Sequence, residues 1–176
     1  AAMTASIGTV GAMAQTADPV LTTLSVDETT HGTGAFEGAY GTDGYILPAY
    51  YGDNSSGMTA YDALPDYVDE ITYSYEARHG TWLKSGAPAE SMLAVGEEPR
   101  LGYVFDDECL TVHVDVNDDV MHTISLYAAE AQGREQSYQF FDAETGRALS
   151  DKVTISDFAS GTYVSGAFSG DIDIVI

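Results

Sequence analysis

The sequence predicts an all-β fold, an antiparallel β-sandwich, on three observations. Residues 110–116 alternate strictly, with Leu110, Val112, Val114 and Val116 on one face and Thr111, His113 and Asp115 on the other. That is the period of a half-buried antiparallel strand. Short runs of β-branched and aromatic residues recur along the chain, separated by Gly- and Asp-rich turns. Helical periodicity is weak throughout, and residues 89–95 are the one stretch that fits a short helix. Short strands at regular spacing with such turns build sandwiches or barrels.

The elements are justified in chain order. Residues 1–19 are small and uncharged up to Asp18, and read as a linker or lead-in segment; the sandwich module occupies 20–176. Ala12-Met13-Ala14 has the form of a signal-peptidase site, but lacks the basic segment and strong apolar run that precede one. Between Thr30 and Tyr51, glycines 32, 34, 38, 41 and 44 interleave with Phe36, Tyr40 and Tyr45, which spells successive tight turns. The dinucleotide and P-loop phosphate patterns do not occur there, and no basic residue stands nearby to hold a phosphate. Strands are expected at 71–75 and 101–105. Asn117-Asp118-Asp119 supplies turn chemistry between 110–116 and a second strand at 120–127, the clearest hairpin of the chain. Further strands are expected at 137–141, 152–155, 162–167 and 172–176, with turns at 142–146 and 158–161. The chain ends directly on a strand pattern, which reads as one module of a larger protein.

With 176 residues, 44% of them hydrophobic, the chain has enough apolar material for one sizeable core. Its charge is extreme: 28 acidic residues against 6 basic ones give a formal net charge of −22. Nucleic acid is therefore a poor partner, because its phosphates require clustered Lys and Arg. An anionic membrane surface is disfavoured on the same ground, and no run approaches the roughly 20 apolar residues of a membrane helix. Cys109 is the only cysteine, so no internal disulfide or zinc cluster staples the fold. At the start of a strand and without a basic neighbour in sequence, it reads as a packing residue rather than a nucleophile.

Several motifs occur in one order: the run Thr-His-Gly-Thr-Gly-Ala-Phe-Glu-Gly-Ala-Tyr-Gly-Thr-Asp-Gly-Tyr at 30–45, Asp115 and the turn before His122, then Leu126-Tyr127 and Arg134. The turn 142–146, Phe158, Gly161-Thr162-Tyr163 and Gly170 complete the series. Over most of residues 27–176 it resembles the galactose-binding-like carbohydrate-binding modules of secreted bacterial glycoside hydrolases. Phe36 stands where that pattern has Trp, one extra residue lies in 33–35, and Ser165 replaces an aromatic. These departures bear on ligand identity more than on fold. The resemblance implies a jelly-roll domain without catalytic activity of its own, secreted or cell-surface, that binds or positions glycans beside neighbouring domains of a larger enzyme. It also implies a possible structural calcium ion, for which Asp27, Asp43 and Asp53 offer oxygen ligands.

A sugar site needs a flat aromatic face for the ring and polar groups for the hydroxyls. The segment 73–84 gathers Tyr75, Arg78, His79 and Trp82, with Tyr75 or Trp82 as the stacking face and Arg78 and His79 reading hydroxyls. Against this stands the plain reading that a tyrosine packs inward and Trp82 caps the core. Tyr50 and Tyr51, ahead of the loop 52–57, form a second platform, which also fits a surface turn after a buried strand.

His122 fits a structural histidine bonded to backbone or carboxylate, because no nucleophile motif accompanies it. Acid pairs such as Asp106-Asp107, Glu97-Glu98 and Asp118-Asp119 have little discriminating value among 28 acids. Adjacent strand residues point to opposite faces, and adjacent turn acids are usually solvated. Two alternatives to glycan binding remain: a structural spacer or docking domain with no ligand, and a hydrolase using paired carboxylates, one of them with its pKa raised by burial.

Overall fold

The computed structural model describes residues 18–30, 38–51, 59–83, 93–95, 98–129 and 133–176. In chain order the strands are β1 (Val20–Asp27), β2 (Tyr45–Tyr51), β3 (Thr59–Ala63), β4 (Val68–Tyr73), β5 (Arg78–Leu83), β6 (Leu93–Val95) and β7 (Glu98–Phe105). They continue with β8 (Thr111–Val116), β9 (His122–Ala128), β10 (Glu135–Asp142), β11 (Val153–Ser156), β12 (Thr162–Ser169) and β13 (Ile172–Val175). All pairings are antiparallel.

Two sheets form the body: β11-β10-β13-β8-β4 and β1-β12-β9. Strict alternation in β8 buries Val112, Val114 and Val116, and β13 beside it buries Ile172 and Ile174. Each such aliphatic side chain contributes on the order of 2 kcal/mol when removed from water. Phe140 of β10, fully buried, fills the centre against β12, where Gly166 leaves room: a Cβ there would lie 2.9 Å from the Phe140 ring. Val164 and Phe168 of β12 close the same core from the opposite sheet. The result is an antiparallel β-sandwich, as the alternation in 110–116 predicts.

Two smaller sheets, β2-β3 and β5-β7-β6, lie against this body. A smaller cluster of Leu47, Tyr50 and Tyr163 joins β2 to β12, with Tyr40 stacked on Tyr163 at 3.8 Å.

Three expectations are corrected. β8 and β9 are not a hairpin: β9 pairs with β12, whereas β8 lies between β13 and β4. The link between them is anchored elsewhere, since the Asn117 amide donates to the Tyr67 carbonyl (3.0 Å) and its side chain to Asp66 and Asp69 (both 2.8 Å). Asp118 then bonds the Val120 amide at 3.0 Å and His122 at 2.7 Å, which turns the chain into the other sheet. Second, residues 93–95 of the expected short helix are strand β6, paired with β7; residues 89–92 lie outside the described residues. Third, Cys109 is exposed rather than packed. Residues 1–17 of the expected lead-in and 31–37 of the Gly-rich run also lie outside the described residues.

Candidate functional site

Among the described residues, the turn from β4 to β5 carries the most exposed large hydrophobic side chain, Tyr75. The Ala77 amide donates to the Ser74 carbonyl at 2.9 Å, closing a four-residue turn with Tyr75 at its first corner. Ser74 ties that turn to its neighbours. Its amide donates to the Thr111 carbonyl (2.9 Å), its hydroxyl donates to Asp106 (3.3 Å), and the same oxygen accepts the Thr111 amide (3.3 Å). Asp106 accepts the Glu108 amide at 3.0 Å, and that bond leads the set that holds its carboxyl below the usual range. A turn braced this way presents Tyr75 with 98% of its surface open to solvent.

β5 starts directly after the turn. Arg78 forms an ion pair with Asp107 and lays its guanidinium over the Phe105 ring, 4.6 Å from the centroid. Phe105 is the ladder partner of Arg78, so the sheet itself sets this cation–π contact. Within four residues of chain lie an open aromatic ring, Tyr75, and a cationic fork, Arg78, which holds the Asp107 carboxylate.

The residues expected at the site separate into groups. Tyr75 and Arg78 lie on this stretch. His79 follows Arg78 on an extended strand and so points to the other face, edge-on to Tyr73 at 5.5 Å. The expectation that Arg78 and His79 read one ligand together is corrected by that alternation. Trp82 pairs with Leu101 in the ladder, and its side chain lies outside the described residues. Tyr50 is also corrected. It is 2% exposed, part of the core cluster with Leu47 and Tyr163, and has no ring face for a ligand. Tyr51 is 46% exposed and meets the Tyr50 ring edge-on at 5.2 Å. Phe105 and Asp107 escape a sequence reading because only strand pairing brings them to Arg78.

Of the carboxylates offered for calcium, Asp27 and Asp43 are engaged with different partners. Asp27 accepts the Thr29 amide (2.8 Å), the Thr29 hydroxyl (2.7 Å), the Thr30 amide (3.2 Å) and the Tyr40 hydroxyl. Hydrogen bonds from Thr30, Tyr40 and Thr29 hold its carboxyl well below the usual carboxylate range. Asp43 sits instead by the Tyr67 hydroxyl, at 3.4 Å, and Asp53 lies outside the described residues. Among the described residues no group of three or more His, Cys, Asp or Glu side chains is arranged to hold a metal ion. His122 bonds Asp118 and stacks on Tyr67 at 3.8 Å, a structural arrangement.

One carboxylate, Asp115, has a raised pKa. Burial pushes Asp115 up, and Asp171, with which it shares a hydrogen bond, adds to the shift. Asp171 also accepts the Val116 amide at 3.0 Å. Glycosidases keep their two carboxyls roughly 5–9.5 Å apart, with the scissile bond between them. A hydrogen-bonded pair leaves no such space.

Among the described residues no helix is long and apolar enough to cross a membrane. No family model, curated protein or solved structure matches this chain.

Proposed function

We propose that this chain is a non-catalytic β-sandwich module that binds carbohydrate, within a larger secreted bacterial glycoside hydrolase. One observation carries the reading: the Tyr75 ring, 98% exposed, stands on a hydrogen-bonded turn beside an Arg78 pinned to Phe105 and Asp107. The hydrogen bonds of the turn hold the backbone beneath Tyr75, so little backbone freedom would be lost when a sugar stacks on its ring. The apolar face of a pyranose would lie on Tyr75, and its hydroxyls would meet Arg78 and Asp107. The motif series at 30–45 and 115–170 supports the same reading through its resemblance to the galactose-binding-like, jelly-roll modules of such enzymes. A flat site of this kind binds weakly, and gains strength when several modules engage one polymer.

Isothermal titration against a panel of mono- and oligosaccharides tests the proposal. At least one glycan is expected to bind, and Tyr75→Ala to weaken it by roughly tenfold, ~1.4 kcal/mol. Absence of binding across the panel, or binding indifferent to Tyr75→Ala, overturns it.

A further inference from the structure

The two sheets of the body end in four edge strands, β1 and β9 in one, β4 and β11 in the other. An edge strand offers unpaired amides and carbonyls to any extended chain, and folds blunt it with bulges, charges, proline or short length. β1, β4 and β11 are each blunted. β1 breaks register between Leu21 and Thr23. β4 breaks register between Val68 and Glu70 and carries Asp69 and Glu70, while β11 is only 4 residues long. β9 has none of these devices. It runs for 7 residues without an Asp, Glu, Lys, Arg or Pro, and pairs with β12 in unbroken register.

A cleft of about 320 Å³ runs beside β9 and touches every residue from His122 to Ala128. Successive strand side chains point to opposite faces, so contact with all of them places the cleft along the edge of the strand. The other edge is taken by β12. Ile71 and Val114 of the main core wall the cleft on one side, and Tyr45 and Leu47 of the smaller cluster on the other. Thr123 is exposed and Ile124 to Tyr127 are half-buried, so the strand is not sealed over. From Thr123 to Leu126 the backbone has no partner but β12 among the described residues. Every second residue of an antiparallel strand turns both its amide and its carbonyl away from the paired neighbour. This stretch of ~13 Å therefore presents half of its backbone groups to the cleft. A strand suits both parts of the lining: its main chain meets the polar edge, and its alternate side chains meet the apolar walls.

No Asp, Glu, Lys or Arg is among the described residues that line the cleft. At the start of β9, Tyr67 stacks on His122, and Asp43 and Asp118 hold the Tyr67 hydroxyl and the His122 ring. The fitting occupant is thus uncharged within the cleft and basic beside it. A second copy, with the same net charge of −22, is repelled. We propose that β9 is a strand-addition site for an extended segment of a partner protein, roughly four uncharged residues flanked by Lys or Arg. The site is separate from the Tyr75 turn and does not depend on the glycan reading.

Calorimetric titration and amide hydrogen exchange with the peptide acetyl-Lys-Val-Thr-Val-Thr-Lys-amide test this. Two further peptides serve as comparisons, one N-methylated at each central residue and one with Glu in place of both Lys. The Lys peptide is expected to bind saturably. N-methylation removes its main-chain donors and should weaken it by roughly tenfold or more, and Glu ends by roughly tenfold. Alternate amides between Thr123 and Leu126 should exchange fast in the protein alone and slow by roughly tenfold or more on saturation. Failure of the Lys peptide to bind saturably overturns the proposal, as does equal affinity for either comparison peptide or protection confined to strands other than β9. Slow exchange of every amide from Thr123 to Leu126 in the protein alone would show an edge already paired, and overturns it as well.

Discussion

Single side chains set the local frame, and two aspartates show how in opposite senses. Asp27 gathers Thr29, Thr30 and Tyr40 onto one carboxylate and so pins the start of the Gly-rich run to the end of β1. Asp27→Ala is expected to cost about 1 kcal/mol at pH 7 in denaturant titrations. Because the folded-state pKa is depressed, that stability is present above the ordinary carboxylate value and lost as pH falls through the folded one. The gap between wild type and Asp27→Ala should therefore hold from pH 7 to about 5 and close below pH ~4. Asp115 behaves in reverse. Its pKa is raised by burial and by Asp171, so protonation favours the fold, and that advantage disappears as pH rises through the raised value. Asp115→Asn should raise the melting temperature at pH 7 by an amount equivalent to ~0.5 kcal/mol, and the gain should shrink towards pH 4. No gain at pH 7 would show that the two carboxylates do not repel.

Strands were legible where one face alternates, and their partners were not. The pattern in 110–116 shows in the burial of Val112, Val114 and Val116, because a period of two has one physical cause. The pairing of β8 failed to show because Asn-Asp-Asp serves a hairpin and a sheet-to-sheet crossing equally well. What decides is the anchoring of Asn117 on Tyr67, Asp66 and Asp69, contacts that sequence separation hides. The short apolar run 93–95 is ambiguous between helix and strand for want of length. At the site, the aromatic and basic content of 73–84 picked out Tyr75 and Arg78, but burial of Tyr50 and the split of Arg78 from His79 needed the sheet. The β2–β7 contact gives a sharper test of element packing. A Cβ on Gly102 would lie 1.9 Å from the Pro48 carbonyl oxygen, beside Ala49, whose φ of 53° is already left-handed. Backbone cannot swing aside, so Gly102→Ala is expected to cost more than ~2 kcal/mol. Gly80→Ala in the paired strand would meet only the Tyr103 ring end, at 2.2 Å, and a rotating side chain should make it the milder change. Chemical denaturation of the two variants reads the difference directly.

At the scale of the molecule, one core welds the two large sheets, and Phe140 is its wedge. Phe140→Ala leaves a cavity opposite Gly166 and is expected to cost about 3–5 kcal/mol, measured as a lower midpoint in urea with the slope unchanged. On the proposed reading, recognition would fall to the rim of this body, where Tyr75 and Arg78 stand exposed. On that same reading, a net charge of −22 would repel nucleic acid and anionic membranes and bear little on a neutral sugar. Amide-resolved NMR titration with the tightest glycan of the panel tests this account most directly. Saturable shifts are expected at amides 74–79 and 105–108, and should vanish in Tyr75→Ala. Shifts confined to other strands, or none at millimolar glycan, would contradict it.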